Sequence, residues 1–245
     1  MSTRHYVAVA AVSLALAGCG STTGTAEGPP VSDLPPLPDR VAAQADPGTD
    51  APPDDAALSA RLIGIADVPS GFAVVDLPPS SADENNDSET DDSDRSSTDP
   101  QACAAILAPV ATQVPGAVST ASVTFTGSDF ASIDEDIATY QGDGAARAFE
   151  TMQDVLPSCR TFSGTDADGV EVQYRVGGSS VVTPGSSNSA SFAIRVESSS
   201  EGVTITSDAV VTQVGNSVVQ VIGTGQDAFD ADVLGRIAET AAQRL

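Results

Sequence analysis

The C-terminal third of the 245-residue chain is a succession of short segments in which apolar and polar residues alternate. In "GVEVQYRVGG", Val170, Val172, Tyr174 and Val176 would share one face of a strand. The segments "ASFAIRVES", "GVTITSDAVVTQV" and "SVVQVIGTG" follow, separated by the turn signals "SSSEG" and "GN". Alternating segments joined by short turns pair as antiparallel neighbours. The sequence therefore predicts an antiparallel sheet, and any fold of this chain has to accommodate it.

Four helices and three more strands are predicted around this sheet. The helices are indicated by apolar residues three or four positions apart, and they begin near Asp54, within "DPQACAAILAPV", after Asp143 as N-cap, and near Asp230. The first of them would place Leu58, Leu62 and Ile65 on one face. The additional strands are "FAVVDL", "ASVTFTGSDF" and "ASIDEDIATY". We expect an α+β fold, a twisted antiparallel β-sheet with helices packed mainly on one face.

Residues 1–18 are typical of a bacterial signal peptide, with Arg4 ahead of an apolar stretch at 6–17. That stretch is too short to cross a bilayer as a helix. The motif "LAGC" that follows resembles the lipobox of lipoproteins, and this resemblance implies cleavage before Cys19 and attachment of acyl chains such as palmitate. The mature chain would then be held at the extracytoplasmic face of the cell membrane. The alternative is an ordinary cleaved signal followed by a chance cysteine.

Two polar segments are predicted to lie outside the folded core. Residues 19–53 combine the lipidated N-terminus with a disordered tether rich in Pro, Gly and Asp, so that the domain would span residues 54–245. Residues from about 78 to 99 form an acidic stretch without apolar anchors, which indicates a mobile loop. Its acidic residues lack the glycine and glutamate spacing of an EF-hand, which favours a solvated loop over the alternative, a weak cation site.

The composition excludes several classes of function. The chain has 34 Asp and Glu residues against 10 arginines, no lysine, and a net charge of −24, which disfavours nucleic acid as a partner. His5 is the only histidine, and cleavage of the signal would remove it. Without His or Lys, no Ser-His-Asp triad, Schiff base or histidine zinc site can form. We therefore expect no enzyme activity, no cofactor and no metal.

Cys103 and Cys159 form an even pair once Cys19 is assigned to the lipid. Thiols of exported proteins oxidise, and this predicts a disulfide between Cys103 and Cys159 that braces the domain. The alternative is a pair of free, reactive thiols.

The segments "DPQACAAILAP" and "IATYQGDGAARAFETMQDVLPSCRTF", followed by strands and a closing helix, resemble the PknH-like extracellular sensor domain. That domain is the outer part of a mycobacterial serine/threonine kinase and occurs alone in actinobacterial lipoproteins. The resemblance covers roughly residues 55–245 and implies an α+β fold whose cleft takes up an unidentified external ligand. Pro157 and Ser158 stand where the family often has a tryptophan, and no cysteines remain for the second disulfide of the kinase-linked members.

Three functions are compatible with these observations. The leading interpretation is a lipid-anchored envelope lipoprotein that binds or senses a small ligand, for which Glu171, Gln173, Arg175 and Arg195 are the candidate ligand-binding residues. The two arginines stand out because cations are scarce, and on paired strands they could bind an anionic group. The alternative is a structural or interaction lipoprotein that docks an envelope or membrane protein.

The third interpretation is a hydrolase that uses carboxylates. In "IDEDIA", Asp134 and Asp136 would lie on one side of a strand and Glu135 on the other. An acid pair in a cleft could cleave glycosides. A solvated strand face is the competing explanation of the same residues.

Overall fold

The computed structural model describes residues 33–44, 51–75, 96–183 and 188–245. The signal peptide, Cys19 and most of the predicted acidic loop lie outside the described residues. In the part of the chain that is described, no helix is long and apolar enough to cross a membrane. Leu34–Leu245 forms a compact unit.

The described residues contain one sheet of nine antiparallel strands, in the order β1-β3-β4-β9-β8-β7-β6-β5-β2. The last four strands are the alternating segments of the C-terminal third, so the predicted antiparallel sheet is confirmed. The strands are β1 (Ala73–Val74), β2 (Ser97–Asp99), β3 (Ser119–Thr126), β4 (Ser132–Thr139), β5 (Thr161–Thr165), β6 (Glu171–Gly178), β7 (Ser189–Ser200), β8 (Val203–Val214) and β9 (Ser217–Gly225).

The helices are short except for two. They are α1 (Asp55–Ser59), α2 (Val110–Gln113), α3 (Gly144–Asp154) and α4 (Ala231–Gln243), with 3-10 helices η1 (Gln101–Ala105) and η2 (Leu156–Cys159). Asp54 caps α1 and Asp230 caps α4 through hydrogen bonds to backbone N–H groups. Asp143 precedes α3 as predicted, but its carboxylate pairs with Arg147 and makes no cap hydrogen bond.

Both faces of the sheet are covered by helices, which corrects the expectation that they pack mainly on one face. On the first, α3 packs with Phe149 against Phe192, ring centroids 5.3 Å apart. We call this the disulfide face; α2 and both 3-10 helices also lie on it. On the opposite face, which we call the α4 face, α1 and α4 pack over a second core. The physical reason lies in the central strands: neighbouring Val210 and Val211 of β8 are both buried, one in each core, so both faces need apolar cover.

The Cys103–Cys159 disulfide joins η1 to η2 on the disulfide face, with the two Cα atoms 5.6 Å apart. Both cysteines are buried in the core there. The predicted disulfide is confirmed.

Leu34–Gln44, which we call the arm, lies against the disulfide face. These residues fall within the range 19–53 that the composition assigns to a tether. The arm has no helix or strand of its own, and most of its hydrogen bonds are made with side chains of the domain. A tether composition and a docked segment are compatible because prolines prevent a strand ladder but leave carbonyl groups free to accept.

Candidate functional site

A polar hollow of about 370 Å³ opens on the disulfide face over strands β3, β4 and β9. The strand register places Ser122, Asp136 and Gln220 in one row across the three strands and Thr124 beside Asp134 in the next. We call this the carboxylate hollow. Its side chains are Leu107, Pro109, Ser122, Thr124, Asp134, Asp136, Gln220, Ile222 and Thr224.

Both aspartates of the hollow are positioned by hydrogen bonds. Asp134 accepts from the Thr124 hydroxyl through Oδ1 (2.7 Å) and from the Ser132 hydroxyl through Oδ2 (2.9 Å). Asp136 accepts from the Val110 N–H through Oδ1 at 2.6 Å. Within the described residues, no hydrogen bond reaches Asp136 Oδ2, and this oxygen is therefore available to a ligand.

Burial changes the titration of the groups around Asp136. Loss of solvent raises the pKa of Asp136, and the hydrogen bond from the Val110 N–H partly offsets that rise. Burial, together with the charge of Asp136, also raises the pKa of Tyr140 to about 12. The Tyr140 hydroxyl donates to the Val114 carbonyl at 2.8 Å, so it serves to hold these two segments together.

The side chains of the hollow offer acceptor oxygens and no positive charge. Such a site suits a ligand that carries hydrogen-bond donors or a cationic group. Across residues 33–44, 51–75, 96–183 and 188–245, no group of three or more Asp, Glu, His or Cys side chains could hold a metal ion.

Glu135 points to the α4 face, opposite to its two acidic neighbours, as strand alternation predicts. It is 1% exposed, and its Oε2 accepts from the Ile63 N–H at 2.7 Å. Its Oε1 is buried without a partner among the described residues. Burial raises the pKa of Glu135 to about 7, against the opposing effects of the Ile63 N–H and of Arg244.

The four predicted ligand-binding residues lie together on β6 and β7. Arg175 pairs with Glu197 across the two strands, and Gln173 donates to Glu171 at 2.5 Å. The second cation, Arg195, makes two hydrogen bonds with its carboxylate partner.

Arg195 binds Asp208 of β8 through two hydrogen bonds, Nε to Oδ1 (2.9 Å) and Nη2 to Oδ2 (2.8 Å). Asp208 is fully buried and also accepts from the Ser179 hydroxyl at 2.6 Å. The structure therefore brings Arg175 and Arg195 to neighbouring strands, but each guanidinium already has a carboxylate partner. An anionic ligand would have to compete with Glu197 and Asp208.

Sequence patterns do not point to several residues of the hollow. Ser122, Thr124 and Gln220 carry no motif, and only the strand register brings them next to the aspartates. The one signal was Gln220, a polar residue inside the apolar run "SVVQVIG". It is 1% exposed, and it accepts a hydrogen bond from Gln113 Nε2 at 2.9 Å.

This arrangement defines an α+β domain with an antiparallel sheet between two helical layers. No family model matches the chain, and no curated protein sequence matches it. Among solved structures, it is similar to the extracellular domain of PknH from Mycobacterium tuberculosis, with 15% identity and a TM-score of 0.53 over 79% of this chain and 96% of that one. A putative uncharacterized protein from Mycobacterium smegmatis, an Rv0999 ortholog, matches at 14% identity and a TM-score of 0.41, over 79% of this chain and 97% of that one. At such identities the likeness to PknH shows the fold alone.

Proposed function

We propose that this chain is a cell-envelope lipoprotein, anchored through lipid on Cys19, whose extracellular domain binds an unidentified ligand without transforming it. The observation that carries the proposal is the fold, which aligns with 96% of the length of the PknH extracellular domain. The lipobox-like "LAGC" supports the anchor. The sensor domain of a kinase and a free-standing lipoprotein domain would share the task of binding outside the cell.

The carboxylate hollow is the binding site that we favour. Asp136 Oδ2 faces it without a protein hydrogen bond in the described chain, and neighbouring hydroxyls hold Asp134 in place. A ligand with amine, guanidine or several hydroxyl groups would satisfy these acceptors. We propose binding without a catalytic step, because both oxygens of Asp134 already accept hydrogen bonds from hydroxyl groups, which leaves Asp136 without a second free carboxylate to form an acid pair.

A second candidate function is the docking of an envelope or membrane protein. Phe130, at the turn between β3 and β4, is 79% exposed and has a φ of 61°. A bulky residue in the left-handed region is uncommon, and such strain often accompanies function. An exposed aromatic side chain held in this way would suit insertion into an apolar pocket of a partner.

Two measurements on protein from a native-like actinobacterial host test the proposal. For the anchor, the wild-type chain is expected in the membrane fraction with an acylated N-terminal peptide by mass spectrometry. The variant Cys19→Ala is expected in the soluble fraction without acyl mass. Recovery of both chains as soluble, unacylated protein would overturn the anchor.

For the ligand, small molecules that copurify with the domain are identified by mass spectrometry. A bound molecule is expected to be retained by wild type and by the control Asp168→Asn, whose side chain lies in an exposed turn. It is expected to be lost from Asp136→Asn, which keeps an acceptor for the Val110 N–H. Equal retention by both variants would place the ligand elsewhere.

A further inference from the structure

Two buried glutamines hold the main chain of the arm. Gln153 of α3 and Gln213 of β8 are 7% and 0% exposed. Gln153 accepts from the Val41 N–H (2.9 Å) and donates to the Val41 carbonyl (3.0 Å). Gln213 makes the same pair of bonds with Gln44, at 2.8 and 3.1 Å. Each amide thus binds both main-chain groups of one residue, so recognition does not depend on the side chain at that position.

Two glycines of β6 allow the N-terminal end of the arm to approach the strand closely. A Cβ on Gly177 would lie 2.5 Å from the Pro35 carbonyl oxygen, and one on Gly178 would lie 2.5 Å from the Pro36 carbonyl oxygen. The Gly178 N–H donates to the Pro35 carbonyl at 3.0 Å. A side chain at either position would push the arm away, so β6 is shaped to let an extended backbone approach.

We call the surface that holds the arm, formed by Gln153, Gln213, Gly177 and Gly178, the groove. The arm itself lies at the protein surface. None of the eleven residues in Leu34–Gln44 is buried, and only Leu37, Val41 and Ala43 pack against the core of the disulfide face. A segment with few buried apolar groups belongs to the part of a fold that opens at low cost in free energy. The groove belongs to the folded domain and remains when the arm detaches, whereas the arm can leave it at low cost in free energy.

The arm also fails to fill the groove. A cavity of about 190 Å³ remains between Leu37 and Pro38 of the arm and Leu156, Pro157 and Phe192 of the domain. A larger apolar side chain at the position of Leu37 would gain contacts there, because empty space beside apolar groups forfeits packing energy. A segment with a larger apolar side chain at this position would therefore pack more fully in the groove than the arm does.

We propose that this groove is a binding site for extended, proline-containing peptide segments of a partner protein, and that the arm occupies it as an intramolecular ligand. The two glutamines would bind the backbone of the partner segment, and the cavity would select its side chain. A tethered occupant has an effective concentration in the millimolar range, so a competing segment has to fit better or be present at a similar concentration. The proposal does not depend on the carboxylate hollow or on lipid at Cys19.

The test uses the full chain carrying Cys19→Ser, labelled with ¹⁵N, and an unlabelled peptide with the sequence of residues 34–44, "LPPLPDRVAAQ". At millimolar peptide, the amide signals of Val41 and Gln44 are expected to move to those of a free segment and to exchange with solvent at least tenfold faster. Signals of the central strands should stay in place. A peptide with phenylalanine at the position of Leu37 (Leu37→Phe) is expected to act at about tenfold lower concentration.

The control peptide carries N-methyl groups at the positions of Val41 and Gln44, so it keeps every side chain but lacks both N–H donors. It is expected to displace nothing. The protein variant Gln153→Glu, which removes the donor to Val41, should release the arm without added peptide, whereas Gln243→Glu on the exposed side of α4 should not.

Three results would overturn the proposal. One is that Val41 and Gln44 stay unchanged at every peptide concentration, which would make the arm an integral part of the fold. The second is equal displacement by the N-methylated peptide. The third is exchange of arms between two copies of the chain, seen as a dimer by light scattering, which would assign the groove to self-association.

Discussion

Two buried carboxylates on the α4 face, Glu135 and Asp208, differ in how many partners compensate for their burial. Asp208 is fully buried and has Arg195 and Ser179 as partners. Glu135 is buried with one backbone N–H, and its second oxygen has no partner in the described chain. The first carboxylate has a cation beside it, whereas the second costs free energy whenever it ionises.

Glu135 is therefore expected to make stability depend on pH. Its pKa rises from 4.5 to about 7 on folding, so the folded state binds the proton more tightly than the unfolded state. Its contribution to stability is fully present below about pH 4.5 and is lost as the pH rises through about 7. Between pH 5 and pH 8.5 this group should lower the free energy of unfolding by roughly 2 to 3 kcal/mol.

Urea unfolding at both pH values checks this expectation. The variant Glu135→Gln should show a dependence on pH that is smaller by roughly 2 to 3 kcal/mol. The exposed control Glu150→Gln should behave like wild type. Parallel pH profiles for all three proteins would show that Glu135 does not titrate in the folded state near neutrality.

The two candidate arginines, Arg175 and Arg195, should differ in how much each contributes to the free energy of unfolding. Replacing Arg195 by alanine leaves the Asp208 carboxylate buried without its cation, which should cost about 3 to 5 kcal/mol of unfolding free energy. The Arg175 and Glu197 side chains are 27% and 20% exposed, so Arg175→Ala should cost about 1 kcal/mol or less. Chemical denaturation of the two variants measures the difference. Equal, small losses would mean that Arg195 is free to serve a ligand.

At the scale of elements, the disulfide connects two short 3-10 helices, of five and four residues. It closes a loop of 56 residues. On the chain-entropy estimate, Cys103→Ala with Cys159→Ala should lower the unfolding free energy by about 4 kcal/mol. Thermal denaturation measures it, and adding reductant to the double variant should change nothing. A double variant as stable as wild type would show that η1 and η2 need no covalent link.

The first helix shows why elements are harder to predict at their ends than in their middle. Apolar spacing predicts a helix that carries Leu58, Leu62 and Ile65 on one face, but α1 ends at Ser59 and Ile65 is 53% exposed. Ile63 enters the core instead. The cause is a set of distant contacts, since the C-terminal Arg244 donates to the Leu62 carbonyl and pairs with Asp67. No local pattern contains that information.

At the scale of the whole molecule, the net charge of −24 is the dominant electrostatic feature. Like charges repel within a compact state and attract cations, and salt screens both effects. The net charge already counts every arginine, so ion pairs such as Arg195–Asp208 leave the excess of 24 negative charges in place.

Raising NaCl from 10 to 300 mM is therefore expected to raise the melting temperature by a few degrees, since about 1 kcal/mol corresponds to roughly 2 to 4 °C in a domain of this size. Calorimetry or circular dichroism gives the measurement. KCl at equal ionic strength should have the same effect, because screening does not distinguish the two cations. A melting temperature that falls with salt would mean that the ion pairs outweigh the repulsion.

The sequence alone determined the features that depend on neighbours along the chain. Alternation and turn residues specified the antiparallel strands of the C-terminal third, and the absence of lysine excluded whole classes of chemistry before any fold was known. Tertiary structure decided which groups meet. It divided the helices between two faces, paired Arg195 with Asp208, assembled the carboxylate hollow from three strands, and placed the arm on Gln153 and Gln213. These outcomes depend on strand register and burial between residues that are far apart in the chain, and such contacts leave no local pattern in a single sequence.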